Sequence, residues 1–281
     1  MRDQGRVVSS GTGRADAADP QWTVRLRRAD RPARRLLVFP HAGAGPDTYL
    51  RLLDDLPADV ELLGVALPGR EHRTAEPPGT TLTATVSGIL GELRRREPLP
   101  TVYYGHSMGA LLAVATARAD PARCRALVLT AGVPGADALN LPVALDTPEG
   151  LELMFARHRV PMRALDSDLA RTPEEYRLAH DLILAREALL AVGGLRLDCP
   201  ITAIGGRDDQ LAPAAAVPGW QRYTTGPFRH TTVKGAHFFP FLQTSGSAVL
   251  AAISEALEPA PLGAGAAPVS AVRTTPTGGI G

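Results

Sequence analysis

Short apolar runs alternate with longer amphipathic stretches along most of the chain. The runs are rich in aliphatic and aromatic residues and are bounded by turn residues, a pattern typical of strands that a sheet buries on both faces. Strands that alternate with helices predict a mostly parallel sheet covered by helices on both faces. The predicted strands are RRLLVFP (34–40), VELLGVALP (60–68), TVYYGHS (101–107), RALVLTAG (125–132), PITAIGG (200–206) and HTTVKG (230–235). The predicted helices lie near 46–56, 80–96, 108–119, 213–223 and 240–257.

This alternation breaks between about residues 134 and 198, a stretch that we call the lid segment. Apolar residues recur there at loosely helical spacing, and Pro161 and Pro173 divide the stretch into short helices. Two interpretations stay open. The lid segment is either an extra helical layer of the core or a mobile apolar cover over a site that accepts the apolar chain of a substrate.

The two ends of the chain lack any such pattern. Residues 1–20 are polar and rich in Gly, Ser and Asp, whereas 259–281 is a low-complexity stretch of Ala, Gly, Pro and Thr. Neither end can contribute much apolar surface to a core. We therefore expect disordered tails on either side of one domain at 21–258.

Composition excludes several classes of protein. With 30 Lys and Arg against 29 Asp and Glu, the net charge of +1 argues against nucleic acid as the main partner. No apolar run approaches the ~18 to 20 residues of a membrane span, and the amino terminus has no secretory core segment, so we expect a cytoplasmic protein without a membrane partner. Two cysteines without a His/Cys cluster indicate neither a disulfide framework nor a metal site.

The motif Gly105-His106-Ser107-Met108-Gly109 follows a predicted strand and opens a predicted helix. This context predicts a sharp strand-to-helix turn that exposes the Ser107 hydroxyl at the carboxyl end of the sheet, where the amino end of the helix favours negative charge. Ser107 is the candidate nucleophile.

A serine hydroxyl needs a base, and in such sites the chain order is serine, acid, histidine. Only His230 and His237 follow the candidate acids. His230 begins a predicted strand, which favours an ordinary edge position, whereas His237 lies just after that strand in a Gly-Ala turn. We therefore predict His237 as the base.

The acid should follow the preceding strand, where Asp208 and Asp209 are adjacent. The spacing from Gly206 favours Asp209, but the choice stays open at this point. The oxyanion hole requires two donors. We predict the backbone N–H of Met108 for one of them, and that of Ala42, in the small-residue loop FPHAGAG (39–45), for the other.

In order and spacing, the motifs FPHAGAG, LPGRE (67–71), YGHSMGALLA and GAHFFPF resemble the stand-alone type II thioesterases of polyketide and nonribosomal peptide assembly lines. The resemblance covers about residues 20–257. It implies an α/β-hydrolase fold with a helical lid insertion. It also implies hydrolysis of acyl groups from the phosphopantetheine thiol of carrier proteins, which removes aberrant or stalled intermediates. Carried over to this chain, it implies the nucleophile, base, acid and oxyanion donors already named.

We further expect no metal or organic cofactor, and we expect four residues to contact the substrate, namely His41, Met154, Phe155 and Phe238. An entrance between the Ala42 loop and the lid segment would bring Arg70 and Arg73 to its mouth, where they would meet an acidic carrier surface. The alternative is that both arginines are merely solvated.

Competing functions are a general carboxylesterase, an acyltransferase and a chain-releasing cyclase of the same fold. Acyltransferases with a GHSxG motif usually continue with Glu, whereas Ala110 stands here. A scaffold that binds carrier proteins or ligands without catalysis is the non-enzyme alternative, and the intact set of Ser, Asp and His argues against it.

Overall fold

The computed structural model describes residues 21–139, 141–194 and 196–259. Apart from residue 259, the predicted tails lie outside this part of the chain. Within it, seven strands form one sheet in the order β1-β3-β2-β4-β5-β6-β7. β1 is antiparallel to β3, and all other neighbours are parallel. The strands are β1 (Thr23–Arg27), β2 (Arg34–Phe39), β3 (Val60–Val65), β4 (Thr101–His106), β5 (Ala126–Thr130), β6 (Ile201–Gly206) and β7 (Phe228–Val233).

The mostly parallel sheet agrees with the hydrophobic pattern, but two elements differ. β1 was not predicted, because its sequence TVRLR is short, carries two arginines and is only half-buried at the sheet edge. Its pairing with β3, with Thr23 opposite Val65, defines it as a strand. The helix predicted at 213–223 is instead a series of 3₁₀ turns over Ala214–Tyr223, since Pro218 inside it has no N–H to donate.

Helices cover both faces of the sheet. α3 and α6 both contact β2, β4 and β5, while α2 packs on α3 and α1 packs on α6. The helices are α1 (Leu50–Leu53), α2 (Leu82–Arg95), α3 (Met108–Ala119), α4 (Pro148–Arg157), α5 (Pro173–Ala191) and α6 (Gln243–Leu257). Among the helices described, none is long and apolar enough to cross a bilayer.

The lid segment leaves the sheet after β5 and contains α4 and α5. Both helices begin with a Thr-Pro pair: the hydroxyls of Thr147 and Thr172 accept hydrogen bonds from the backbone N–H groups of Gly150 and Glu175, and proline occupies the first helical position. α5 packs on α3. Prolines therefore do divide the lid segment, as predicted, but α5, with 19 residues, is a long helix rather than a short one.

The order of the strands determines where a ligand can approach. The chain passes from β2 to β3 on one side of β2 and then crosses to β4 on the other side. Loops that follow β2 and β4 therefore diverge at the carboxyl edge of the sheet, which is where open α/β sheets form a binding crevice.

Candidate active site

The turn between β4 and α3 carries Ser107 in a backbone conformation unusual for a residue with a side chain, with φ at 56°. Two glycines allow this turn to pack. A Cβ on Gly105 would overlap the carbonyl of Gly109, and a Cβ on Gly109 would overlap the carbonyl oxygen of Phe39 at the end of β2. Both flanking glycines are thus required by close backbone approach.

Ser107, His237 and Asp209 form a continuous hydrogen-bonded series. His237 Nε2 lies 2.9 Å from Ser107 Oγ, and His237 Nδ1 lies 2.9 Å from Asp209 Oδ2. A carboxylate can only accept, so Nδ1 carries the imidazole proton, and Nε2 is free to accept the proton of the serine hydroxyl. The arrangement is that of a nucleophile, a general base and an orienting acid.

The structure distinguishes the two adjacent aspartates. The Asp209 side chain is fully buried, and its Oδ1 accepts hydrogen bonds from the backbone N–H groups of Leu211 and Ala212 at 2.9 Å each. The residue Asp208 is exposed. Asp209, as the spacing from Gly206 favoured, is therefore the aspartate that faces His237.

The loops that carry the acid and the histidine approach each other closely. A Cβ on Gly206 would lie 2.6 Å from the carbonyl oxygen of Gly235 and 2.9 Å from that of Ala236. Gly235 itself has φ of 126°, which a residue with a side chain rarely adopts. These two glycines let the His237 loop fold against the end of β6.

The two residues predicted to supply backbone donors lie at the start of α3 and after β2. Met108 begins α3, so its N–H has no acceptor inside the helix and lies at the positive end of the helix dipole. Ala42 follows β2 and lines the same cavity as Ser107 and Met108. Both residues predicted as oxyanion donors thus line the cavity that Ser107 also lines, and their role stays a prediction.

Tyr49 holds the loop that carries Ala42. Its hydroxyl accepts from the backbone N–H of His41 at 3.1 Å and lies 2.7 Å from His41 Nδ1. Tyr49 thus contacts both the backbone and the side chain of His41, the residue before Ala42.

Two further histidines stay neutral beside the series. Burial lowers the pKa of His41 to about 4, with smaller contributions from His237 and Arg70. Burial also lowers the pKa of His106, whose Nδ1 lies 2.9 Å from the hydroxyl of Thr130. An imidazolium at His237 therefore forms without a neighbouring histidine cation.

The serine opens on a cavity of roughly 760 Å³. His41, Met154 and Phe238, three of the four predicted contact residues, line it. Phe155 does not: it is buried beside a neighbouring surface cavity, because it lies on a different side of α4 from the serine. The prediction that Phe155 contacts the substrate therefore has to be corrected.

Sequence reasoning missed most of the apolar wall. Four residues of α5 line the cavity at positions i, i+4, i+7 and i+11, namely Leu178, Leu182, Ala185 and Leu189. This spacing places them on one face of a helix and was the signal available in the sequence. The lid segment thus supplies both core and cavity wall, so its two interpretations are not exclusive.

Arg70 and Arg73 do not lie free at a mouth. Both are buried: Arg70 forms an ion pair with Asp181 of α5, and Arg73 forms one with Glu76 and lies 4.2 Å over the Trp22 ring. Neither can meet a carrier surface, which corrects that expectation. Across the described ranges, no group of three His, Cys, Asp or Glu residues is arranged to hold a metal ion.

Comparisons with known proteins agree with this geometry. A family model described as a thioesterase domain matches residues 34–257. The probable cadicidin biosynthesis thioesterase of Streptomyces griseus is 29% identical over 275 residues, 92% of this chain and 72% of that protein. Thioesterase PikA5 of Streptomyces venezuelae is 29% identical over 236 residues, 78% of this chain and 79% of that protein.

Solved structures give the same result. The type II thioesterase BorB from the borrelidin biosynthetic cluster matches with a TM-score of 0.68 and 27% identity, covering 85% of this chain and 97% of that chain. Together with the strand order, this match confirms the predicted α/β-hydrolase fold.

Proposed function

Since the chain belongs to the thioesterase family, as its motifs predicted, we propose that it hydrolyses acyl groups from the phosphopantetheine thiol of carrier proteins in an assembly line for polyketides or nonribosomal peptides. The observation that carries this proposal is the hydrogen-bonded series Ser107, His237 and Asp209, of which Ser107 and His237 line a largely aliphatic cavity. Aberrant or stalled acyl groups are the substrates that the family resemblance implies. Their carriers are therefore the proposed partners.

The first half of the reaction transfers the acyl group to Ser107. The Ser107 Oγ attacks the thioester carbonyl carbon while His237 Nε2 takes the hydroxyl proton. The carbonyl oxygen becomes an oxyanion, which accepts hydrogen bonds from the backbone N–H groups of Ala42 and Met108. When the intermediate collapses, the carbon–sulfur bond breaks, and His237 gives its proton to the leaving sulfur.

The second half returns the enzyme to its starting state. Water attacks the acyl-enzyme carbonyl, His237 takes a proton from it, and the same two donors hold the second oxyanion. Collapse releases the carboxylic acid as His237 returns the proton to Ser107 Oγ. Asp209 keeps the imidazole oriented and stabilises its charged form throughout, and no step uses a metal or an organic cofactor.

The acyl chain is proposed to lie against α5. The four α5 residues at helical spacing and Leu111 of α3 offer an aliphatic wall, so transfer of a hydrocarbon chain from water into the cavity is favourable by about 0.8 kcal/mol per methylene. His41, Met154 and Phe238 complete the surroundings of the thioester. The cytoplasmic location expected from the sequence stays a prediction.

The test compares hydrolysis of short acyl groups from a phosphopantetheinylated carrier protein with hydrolysis of the matched simple esters, using wild type and Ser107→Ala. Serine-dependent turnover that favours the carrier thioester supports the proposal. Turnover of the simple esters alone would assign a general carboxylesterase. Faster transfer to a thiol acceptor than to water would assign an acyltransferase, and binding without turnover would assign a scaffold.

A further inference from the structure

A buried ion pair joins the lid segment to the loop that carries Ala42. Arg70 Nη2 lies 2.7 Å from Asp181 Oδ1, and Arg70 Nη1 lies 2.9 Å from Asp181 Oδ2. The two side chains are 5% and 1% exposed. This two-point geometry is the strongest form of an arginine–carboxylate contact. Asp181 lies on α5, whereas Arg70 follows β3, so the pair connects segments that are far apart in the chain.

The same two side chains also hold the backbone of the Ala42 loop. Asp181 Oδ2 accepts a hydrogen bond from the backbone N–H of Gly43 at 2.6 Å. Arg70 Nη1 donates to the carbonyl oxygen of Ala44 at 2.9 Å. Gly43 and Ala44, the two residues after Ala42, are therefore both hydrogen-bonded to one buried ion pair. Gly43 adopts a φ of 85° in this loop.

From these contacts we propose that Arg70 and Asp181 are positioning residues, which hold the Ala42 N–H in place for the oxyanion. The inference rests on the proposed function, since it takes Ala42 as an oxyanion donor. Neither side chain lines the cavity, so they act through the loop. A donor must lie ~2.7 to 3.1 Å from the oxyanion to be effective, and Ala42 is the residue adjacent to the Gly43 N–H that Asp181 holds.

The charges of the pair fit this role. A lone carboxylate next to the oxyanion hole would oppose the negative charge that develops there, but Arg70 neutralises Asp181 through two hydrogen bonds. The pair therefore anchors an N–H group close to the site without adding net negative charge.

The same helix also contributes to the acyl cavity. Leu178 lines the cavity, lies one turn before Asp181 on α5, and would lie 3.6 Å from a Cβ on Gly43. The position of α5 therefore determines both the acyl wall and the oxyanion loop. A displacement of α5 is therefore expected both to lower the rate of the chemical step and to weaken binding of the acyl chain.

The test replaces both charges at once, by Arg70→Met together with Asp181→Leu. Removing both partners leaves no unpaired buried charge, so the fold is expected to survive. The Gly43 N–H and the Ala44 carbonyl nevertheless lose their partners. We expect kcat to fall by about 10- to 100-fold with KM within about twofold, because a small misplacement of a catalytic group has an effect of this size.

Labelling of Ser107 by a fluorophosphonate is measured in parallel and needs no natural substrate. The labelling rate should fall by a similar factor, since the phosphoryl oxygen uses the same donors. The control is Arg35→Met together with Glu61→Leu, which removes another buried ion pair, with a distance of 2.7 Å, at the amino ends of β2 and β3. Glu61 also pairs with Arg25 and Arg96, so the control perturbs charge contacts at least as much as the test variant does. This control should retain the wild-type rate per folded molecule.

The outcomes separate the two proposals. If wild type shows no serine-dependent thioester hydrolysis, the proposed function fails, and the labelling rate alone decides the role of the pair. A folded double variant whose kcat and labelling rate equal those of wild type overturns the positioning role. If circular dichroism shows that the double variant does not fold, Arg70→Lys replaces it. One ammonium cannot reproduce the fork to Asp181 and the bond to Ala44, so unchanged labelling of that variant would also overturn the inference.

Discussion

The turn that carries Ser107 and the lid segment are held in place by different forces. Around Ser107, backbone packs directly against backbone. The Cα atoms of Gly105 and Gly109 lie against carbonyl groups, so a Cβ on either glycine has no space. In α5, side chains of adjustable size form the wall. The glycines around Ser107 are therefore expected to tolerate almost no substitution, whereas the side chains of α5 that line the cavity can change in size by small steps.

The largest expected effect separates the two adjacent aspartates. Asp209→Asn should lower kcat by about 10⁴, because an amide in place of the carboxylate no longer selects the imidazole tautomer with the proton on Nδ1. Asp208→Asn is the matched control and should change kcat little, since Asp208 is exposed. Steady-state hydrolysis of an acyl thioester measures both. Equal losses would show that the loop as a whole, rather than one carboxylate, supports His237.

The next prediction concerns the glycine turn. Gly109→Ala should lower kcat/KM by about 10²-fold or more and also lower Tm, because the new Cβ displaces either β2 or the serine. Gly91→Ala in α2 is the control: its nearest neighbour, Arg95 Nη1, would lie 3.9 Å away. That change should stabilise the fold by about 0.5 to 1 kcal/mol. Wild-type kinetics for Gly109→Ala would contradict the close packing described for the turn.

A third prediction uses pH to test burial at the Ala42 loop. His41 has a pKa of about 4 when folded, below its unfolded value of about 6.5, so the unfolded chain binds more protons between these pH values. Stability is therefore lost as the pH falls through this window, by about 2 kcal/mol at pH 5 from this residue. His41→Asn, which keeps an acceptor for Tyr49, should lose less stability than wild type.

Urea unfolding of both proteins at pH 7 and pH 5 measures this difference. His230→Asn on β7 serves as the control, because residue 230 is exposed in the fold. It should follow the wild-type dependence on pH. If His41→Asn loses as much stability as wild type between pH 7 and pH 5, protonation of His41 is not the cause of the loss.

The smallest effect is expected in the acyl wall. Leu182→Ala enlarges the cavity and should shift the ratio of kcat/KM toward longer or bulkier acyl groups by about 3- to 10-fold, the range in which a hydrophobic pocket discriminates methylenes. Leu190→Ala lies on the same helix but is 43% exposed, so it should leave the ratio unchanged. A series of acyl thioesters of increasing chain length measures both variants. If the two variants show the same preference for acyl-chain length, α5 does not form the wall that contacts the acyl chain.

Much of the site could be predicted because it depends on short stretches of chain. The Ser107 turn is specified by five consecutive residues, and strand order brings the loops after β2, β4, β6 and β7 to one edge of the sheet. The spacing from Gly206 also favoured Asp209, the aspartate that the structure brings to His237. Each of these features follows from local sterics or from the parallel sheet itself.

The remaining features required the folded chain. Arg70 finds Asp181 across 111 positions, so nothing near LPGRE indicated that this arginine is buried. Phe155 and Leu182 are equally apolar in sequence, yet only Leu182 faces the cavity. By itself, the sequence determined the six parallel strands and the serine turn, since backbone geometry decides these over a few residues, and it also determined the chain order of Ser107, Asp209 and His237. Tertiary structure alone decided which helix face lines the cavity and which arginine holds the Ala42 loop, since both depend on contacts between segments distant in the chain.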